Sequence, residues 1–251
     1  MEQLQYQLKS IRLSGMAQDL PIRIQEAKAN DLPYQVFLQN LVEDELSRRR
    51  ERLLNRRLKL AKFPFLRTLD EFDFSFNPSL DKRLIKEVAS GAFLTRAENV
   101  LLLGPPGVGK SHLAISFGIQ AIHNGFTVLY RSVFDMALDV AEQSPRDLIT
   151  IYVKPHLLIL DELGMKPLPP AATDILLEII HRRYRDRSTI IATNRPIEDW
   201  GTILGDNAAT SAILDRFLER VHFIKMTGRS YRLRNLNREE VSSQNQGKEE
   251  Q

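Results

Sequence analysis

The 251-residue chain contains no cysteine, which excludes disulfides, thiolate-ligated zinc and cysteine nucleophiles. It has no apolar run of about 18 residues, so no segment reads as a membrane span. Its start, Met1-Glu2-Gln3-Leu4-Gln5-Tyr6, lacks the basic stretch and apolar core of a secretory signal. No internal repeat is visible. Neither sign of charge dominates: 35 Lys+Arg against 32 Asp+Glu leave a net +3, so only the distribution of charge can point to a partner. These absences lead to the expectation of a cytoplasmic protein with no membrane partner. With 43% apolar and 27% charged residues the chain can bury a core and keep an ordinary soluble surface.

One segment carries specific chemistry. The apolar stretch Val100-Leu101-Leu102-Leu103 leads into Gly104-Pro105-Pro106-Gly107-Val108-Gly109-Lys110-Ser111, followed by His112 and a helical pattern with Leu113, Phe117 and Ala121. Strand, glycine-rich loop and helix form the context of a phosphate-binding loop. Glycines let several backbone N–H groups turn into one concavity. The helix N-terminus adds partial positive charge. Lys110 can reach the β- and γ-phosphates, and the Ser111 hydroxyl can ligate Mg²⁺. Gly104 to His112 are therefore the expected nucleotide-phosphate-binding residues.

Residues 1–66 read as helical, without strand signals, and are expected to form a domain ahead of a nucleotide-binding α/β domain at 67–236 and a polar, disordered tail at 237–251. The spacing predicts a long helix from Tyr34 to Phe63, opened by Pro33 and stopped by Pro64. Leu38, Val42 and Leu46 mark one face, which Leu53, Leu54, Leu58 and Ala61 resume. Arg48 to Lys62 includes eight basic residues and one acid. Such a run is either a solvated face or a surface for nucleic-acid phosphates. No aromatic residue interleaves, so backbone contact fits better than base stacking. Arg48, Arg49, Arg52, Arg56, Arg57 and Lys59 are the candidates. A second cluster, Arg182, Arg183, Arg185 and Arg187, ends a helix and reads as a complement to its dipole.

Phe72, Phe74 and Phe76 alternate with polar residues, as in a strand or an extended strap tied to the core. A helix is expected over Ser79–Ala89, stopped by Gly91. Strands are expected at Val100–Leu103, Phe126–Tyr130, Leu157–Leu160, Thr189–Ala192 and Val221–Ile224, with helices between them. That alternation gives an α/β fold with a five-stranded parallel sheet buried on both faces.

Ligands of such sheets bind at the carboxyl ends of strands. Asp161 and Glu162 follow Leu157-Leu158-Ile159-Leu160 there: Asp161 can hold Mg²⁺, and Glu162 can polarise a water for attack on the γ-phosphate. Asn194 follows Ile190-Ile191-Ala192-Thr193 and could orient that water, or simply begin the turn before Pro196. Arg216 and Arg220 share a helix face. Arg216 is either a surface ion-pair partner or an arginine supplied to a neighbour's γ-phosphate.

In order and spacing, Gly104–Ser111, Leu157–Glu162, Asn194 and Arg216 resemble Walker A, Walker B, sensor 1 and the arginine finger of AAA+ ATPases. The chain as a whole resembles the IstB transposition helpers, relatives of the helicase loader DnaC and the initiator DnaA. Leu13-Ser14-Gly15-Met16, Leu58-Lys59-Leu60-Ala61-Lys62-Phe63-Pro64, His181-Arg182-Arg183-Tyr184 and Gly228-Arg229-Ser230-Tyr231-Arg232-Leu233-Arg234 carry that closer likeness. The resemblance implies an ATP- and Mg²⁺-dependent ATPase that binds double-stranded DNA. It also implies assembly as a homo-oligomer with nucleotide between subunits, and a transposase as partner. Lys110, Glu162, Asn194 and Arg216 become the catalytic residues, Ser111 and Asp161 the metal ligands, and Thr68–Phe76 the segment over the adenine. The family pattern departs at the lid: Arg229 and Arg232 are the local sensor 2 candidates, and a reduced or absent C-terminal lid is expected. A DnaC-type helicase loader is the nearest alternative. A small-molecule kinase using the same loop would have little use for the basic helix.

Overall fold

A computed structural model describes residues 1–204, 208–228 and 230–231, with side chains described except at 208–210, 212 and 213. The expected tail at 237–251, Arg229 and Arg232 lie outside the described residues. The chain divides into two compact units, Met1–Arg57 and Leu58–Gln251.

In the first unit, α1 (Glu2–Ser10), α2 (Ser14–Ala29) and the start of α3 (Tyr34–Ala61) enclose a small core of Met16, Leu20 and Leu41. Leu8, Leu13, Ile24 and Phe37 pack around it. The packed face of α3 is therefore that of Phe37, Leu41 and Glu45, whereas Leu38, Val42, Leu46 and Leu53 stay exposed. Polar residues decide this. The Glu45 carboxylate is buried against the start of α2, where Oε2 accepts from the N–H groups of Gly15 (2.5 Å) and Met16 (3.1 Å). It thus satisfies donors that a helix N-terminus leaves open. Burial pushes the Glu45 pKa up, but the hydrogen bonds from Arg49, Met16 and Gly15 outweigh it and hold the group below its ordinary value. Arg23 clamps Asp44 through two 2.7 Å contacts.

α3 ends at Ala61, two residues before the expected Phe63. Lys62 turns left-handed (φ 58°), and the Pro64 ring disfavours helical geometry at Phe63.

In the second unit, β1 (Asn99–Leu103), β2 (Val128–Ser132), β3 (Leu157–Leu163), β4 (Ser188–Thr193) and β5 (Val221–Lys225) form one sheet in the order β2-β3-β4-β1-β5. Every neighbouring pair is parallel, as expected. The helices of this unit are α4 (Lys82–Ala89), α5 (Ala92–Thr95), α6 (Lys110–His123), α7 (Val133–Glu142), α8 (Pro145–Val153), α9 (Pro170–Arg183), α10 (Trp200–Leu204) and α11 (Ala208–Leu218). Alternate strand residues serve opposite faces. Leu101, Leu158, Leu160 and Ile191 share a core with Met136, Leu148, Leu176, Trp200 and Phe217. The opposite face, which includes Ile159, is approached by α6.

Capping sets the boundaries that differ from expectation. Asp81 accepts from the N–H groups of Arg83 (2.8 Å) and Leu84 (3.3 Å), so α4 begins at Lys82 rather than at Ser79. β2 begins at Val128 because left-handed Gly125 and the Phe126 N–H, bonded to the Ala121 carbonyl at 3.0 Å, are still closing α6. Phe72, Phe74 and Phe76 form no strand. They follow a short 3-10 turn, Leu69–Glu71, as an irregular strap in which Phe72 is buried.

Candidate nucleotide site

The loop after β1 runs from Gly104 to Gly109 and opens directly into α6. Gly107 (φ 82°) and Gly109 (φ 102°) hold left-handed backbone. A Cβ on Gly109 would also stand 2.8 Å from the Phe72 ring, so only glycine lets the strap settle there. Lys110 Nζ folds back onto the loop, donating to the carbonyls of Gly104 (2.7 Å) and Pro105 (2.8 Å). A phosphate in the loop would compete with these carbonyls for the same ammonium group.

Beside the loop lies a cavity of about 490 Å³, lined by Gly107–His112, by Arg67, Glu71, Phe72, Phe76 and Asn77 of the strap, and by Tyr231. That volume suits a nucleotide-sized ligand. The strap is fixed at several points. Thr68 and Glu71 form a capping box, with the Thr68 N–H 2.7 Å from Glu71 Oε2. His112 and Ser116 of α6 bond the carbonyls of Thr68 (2.9 Å) and Arg67 (3.0 Å). The Phe72 ring meets His112 edge-on at 5.2 Å, and Tyr231 meets Phe76 at 5.0 Å.

Asp161 and Glu162 stand at the same carboxyl edge of the sheet, in β3. The β3–β4 register shifts between Leu160 and Leu163, and Glu162 has φ 65°. A bulge beside a site re-aims a side chain: Asp161 is buried and Glu162 exposed. Thr193 locks the two strand ends together, donating from Oγ1 to the Leu163 carbonyl at 2.7 Å and accepting from the Arg195 N–H at 3.0 Å. Next to it, Asn194 Oδ1 is buried with no hydrogen-bond partner among the described residues. It is an acceptor awaiting a donor, as a bound water would be.

The oxygen donors at this edge fit Mg²⁺. Among the described residues no group of three or more His, Asp or Glu could cage a metal. A hydroxyl (Ser111) and a carboxylate (Asp161), completed by substrate phosphates and water, make the donor set that Mg²⁺ uses in place of an all-protein cage.

Lys110, Ser111, Asp161, Glu162 and Asn194 thus share one sheet edge, and Arg216 does not join them. It faces His181 Nδ1 at 3.2 Å and lies 6.0 Å from the centre of the Tyr184 ring. The small cavity beside it is lined by Asn99 and Thr189, at the amino ends of β1 and β4. Within one chain, Arg216 is therefore at the far edge of the sheet from the phosphate loop.

The second basic cluster departs from its expected dipole role at Arg183. This guanidinium is buried and donates to the carbonyls of Tyr152, Val153, Pro155, His156 and Ser188 and to Thr189 Oγ1. Burial pulls its pKa down to about 9, and it remains a cation at neutral pH. Arg182 and Arg185 instead pair with Glu178 and Glu219. On the basic stretch of α3, Arg48 pairs with Asp19 (2.7 Å) and Arg49 with Glu45 (2.6 Å), so both help to hold the helical unit together. Arg52, Arg56 and Lys59 are exposed, and Arg57 is half-buried.

A family model described as IstB-like ATP binding protein matches residues 6–239. The chain belongs to that family. Among its relatives, a protein described as an ATP-binding protein of insertion sequence IS5376 from Geobacillus stearothermophilus is 36% identical, covering 94% of this chain and 96% of its own. A counterpart of insertion sequence IS21 from Pseudomonas aeruginosa is 32% identical, covering 98% and 94%. Solved structures agree on the fold. DnaI has a TM-score of 0.54 at 17% identity over 64% of this chain and 91% of its own. A replication initiator DnaA, solved with AMPPCP and single-stranded DNA, has 0.51 at 20% identity over 63% and 49%. The chain is an ATP-binding protein with an AAA+ ATPase module. Among the described residues no helix is long and apolar enough to cross a membrane.

Proposed function

We propose that this protein is the ATP-dependent, DNA-binding helper of an insertion-sequence transposase. Near end-to-end similarity to proteins described as ATP-binding proteins of insertion sequences carries this reading. The edge that gathers the phosphate loop, two carboxylates and an unsatisfied Asn194 supports its chemistry. The ATPase domain is assigned to residues 67–236, and the helical domain, 1–66, to contacts with DNA or neighbouring subunits.

In this reading Gly104–Ser111 and the backbone of His112 hold the triphosphate, and Lys110 exchanges its loop carbonyls for phosphate oxygens. Ser111 and Asp161 would hold Mg²⁺, which would supply neutralisation of the triphosphate charge. Asn194 orients the attacking water and Glu162 accepts its proton. Arg216, remote from its own loop, stabilises the γ-phosphate charge in a neighbouring subunit, so hydrolysis requires assembly. Arg52, Arg56, Arg57 and Lys59 on α3 supply phosphate contacts to duplex DNA, while Arg48 and Arg49 are held in ion pairs within the helical unit.

The test is ATP turnover with and without duplex DNA over a salt series. Turnover is expected to rise with DNA, and the rise to fall steeply with salt as phosphate contacts are lost. Charge reversal at Arg52 and Arg56 should flatten that salt dependence. Turnover indifferent to DNA, or co-purification with a replicative helicase instead of a transposase, would overturn the reading. Lys110→Ala is expected to abolish binding of a fluorescent ATP analogue.

A further inference from the structure

Both oxygens of the buried Asp161 carboxylate are held. Oδ1 accepts from the Glu162 N–H at 2.8 Å, and Oδ2 accepts from the Tyr130 hydroxyl at 2.8 Å. Sheet register accounts for the second contact. Tyr130 of β2 stands opposite Ile159 of β3, and Ser132 opposite Asp161. Tyr130, Ile159 and Asp161 therefore share one face, and a ring extended along the strand reaches the carboxylate two residues on.

The ring has its own support. Phe63 meets Tyr130 at 6.3 Å with the planes inclined at 60°. Phe63 in turn lies against Gly118 of α6, where a Cβ would come within 2.8 Å of its ring and 2.9 Å of Ile159 Cδ1. The missing side chain at Gly118 lets α6, Phe63, Ile159 and Tyr130 close together. α6 is also the helix that begins with Lys110 and Ser111. Each carboxylate oxygen keeps a second lone pair, so these hydrogen bonds fix the direction of Asp161 without using up its capacity to bind a metal.

We infer that Tyr130 is a positioning residue for the metal-side carboxylate: its hydroxyl aims Asp161, and Phe63 holds its ring in place. This rests on the reading of Asp161 as a Mg²⁺ ligand. Partners that orient a metal ligand typically change metal affinity by about 10- to 100-fold when removed. Tyr130→Phe keeps the ring and its packing and deletes only the donor.

The experiment uses Mn²⁺ as the probe, its binding to full-length protein followed by electron paramagnetic resonance with a non-hydrolysable ATP analogue present. Analogue affinity without metal is measured in parallel, and Asp161→Asn serves as the reference. Tyr130→Phe is expected to weaken Mn²⁺ binding about 10-fold and to leave metal-free nucleotide affinity unchanged. Phe63→Leu is expected to shift Mn²⁺ affinity in the same direction by less. If Asp161→Asn weakens Mn²⁺ binding and Tyr130→Phe does not, the inference about Tyr130 is overturned and the metal site stands. If neither variant changes it, the assignment of Asp161 fails and the inference with it. Loss of metal-free nucleotide binding in Tyr130→Phe would make the hydroxyl a general structural prop and overturn the positioning role.

Discussion

His112 Nε2 lies 2.9 Å from the Thr68 carbonyl oxygen. A carbonyl only accepts, so His112 carries its proton on Nε2 and donates it to the strap. One turn along α6, the Ser116 hydroxyl donates to the Arg67 carbonyl at 3.0 Å. Two side chains of the phosphate-loop helix thereby pin the segment that lines the nucleotide cavity. His112→Ala should loosen that wall and weaken ATP binding by about 5-fold, the equivalent of one hydrogen bond near 1 kcal/mol. Inorganic tripolyphosphate, which needs no base pocket, should bind the variant as it binds the parent. Equal losses for both ligands would show that His112 acts on the phosphate loop instead.

Glu162→Gln retains shape and removes the proposed proton acceptor. Nucleotide affinity should be unchanged and turnover should fall by about 100-fold or more, within the range for loss of a general base. Steady-state ATPase rates and analogue titrations check both halves. Wild-type turnover in the variant would take Glu162 out of the chemistry.

Much of the candidate site is legible along the chain, because it is built from consecutive residues at strand ends. Gly104–Ser111, Asp161-Glu162 and Asn194 each follow an apolar run, and a parallel sheet brings such ends to one edge. Contacts across strands left no such mark. Tyr130 reads as an ordinary core aromatic, and only the register that sets Ser132 opposite Asp161 gives it a role. Arg183 looks like its neighbours Arg182 and Arg185 until the helix phase buries it. Along α3, hydrophobicity pointed to Leu38, Val42 and Leu46, yet Glu45 sits inside because the N–H groups at the start of α2 need an acceptor.

Arg183→Met should destabilise the second unit by about 3 kcal/mol or more, since several buried carbonyls would lose a charged donor together. Thermal unfolding followed at Trp200, buried in the same unit, would record it. A melting temperature within about 1 °C of the parent, where a loss of 1 kcal/mol already moves a domain of this size by about 2–4 °C, would mean that water replaces the guanidinium without loss.

Acid should loosen the helical unit at Glu45. Its pKa is depressed in the folded state, so its contribution is complete above the unfolded carboxyl value of about 4.3 and is lost as pH falls through the lower folded value. Hydrogen exchange at the Gly15 and Met16 amides should therefore accelerate beyond its intrinsic trend as pH falls through that lower folded value. Glu45→Gln should exchange faster at neutral pH and show little further pH dependence. Unchanged protection in that variant would remove Glu45 as the cap.

Under the proposed role of Glu162, its left-handed backbone sets durability against turnover. A side chain at φ 65° carries strain on the order of 1 kcal/mol or more that glycine escapes. Glu162→Gly should therefore melt above Glu162→Ala, the reverse of their order at ordinary positions; a lower melting temperature for the glycine variant would dispose of the idea. Selection for heat resistance alone would drift toward glycine at this residue, and the proteins it enriched would hold ATP and fail to cleave it.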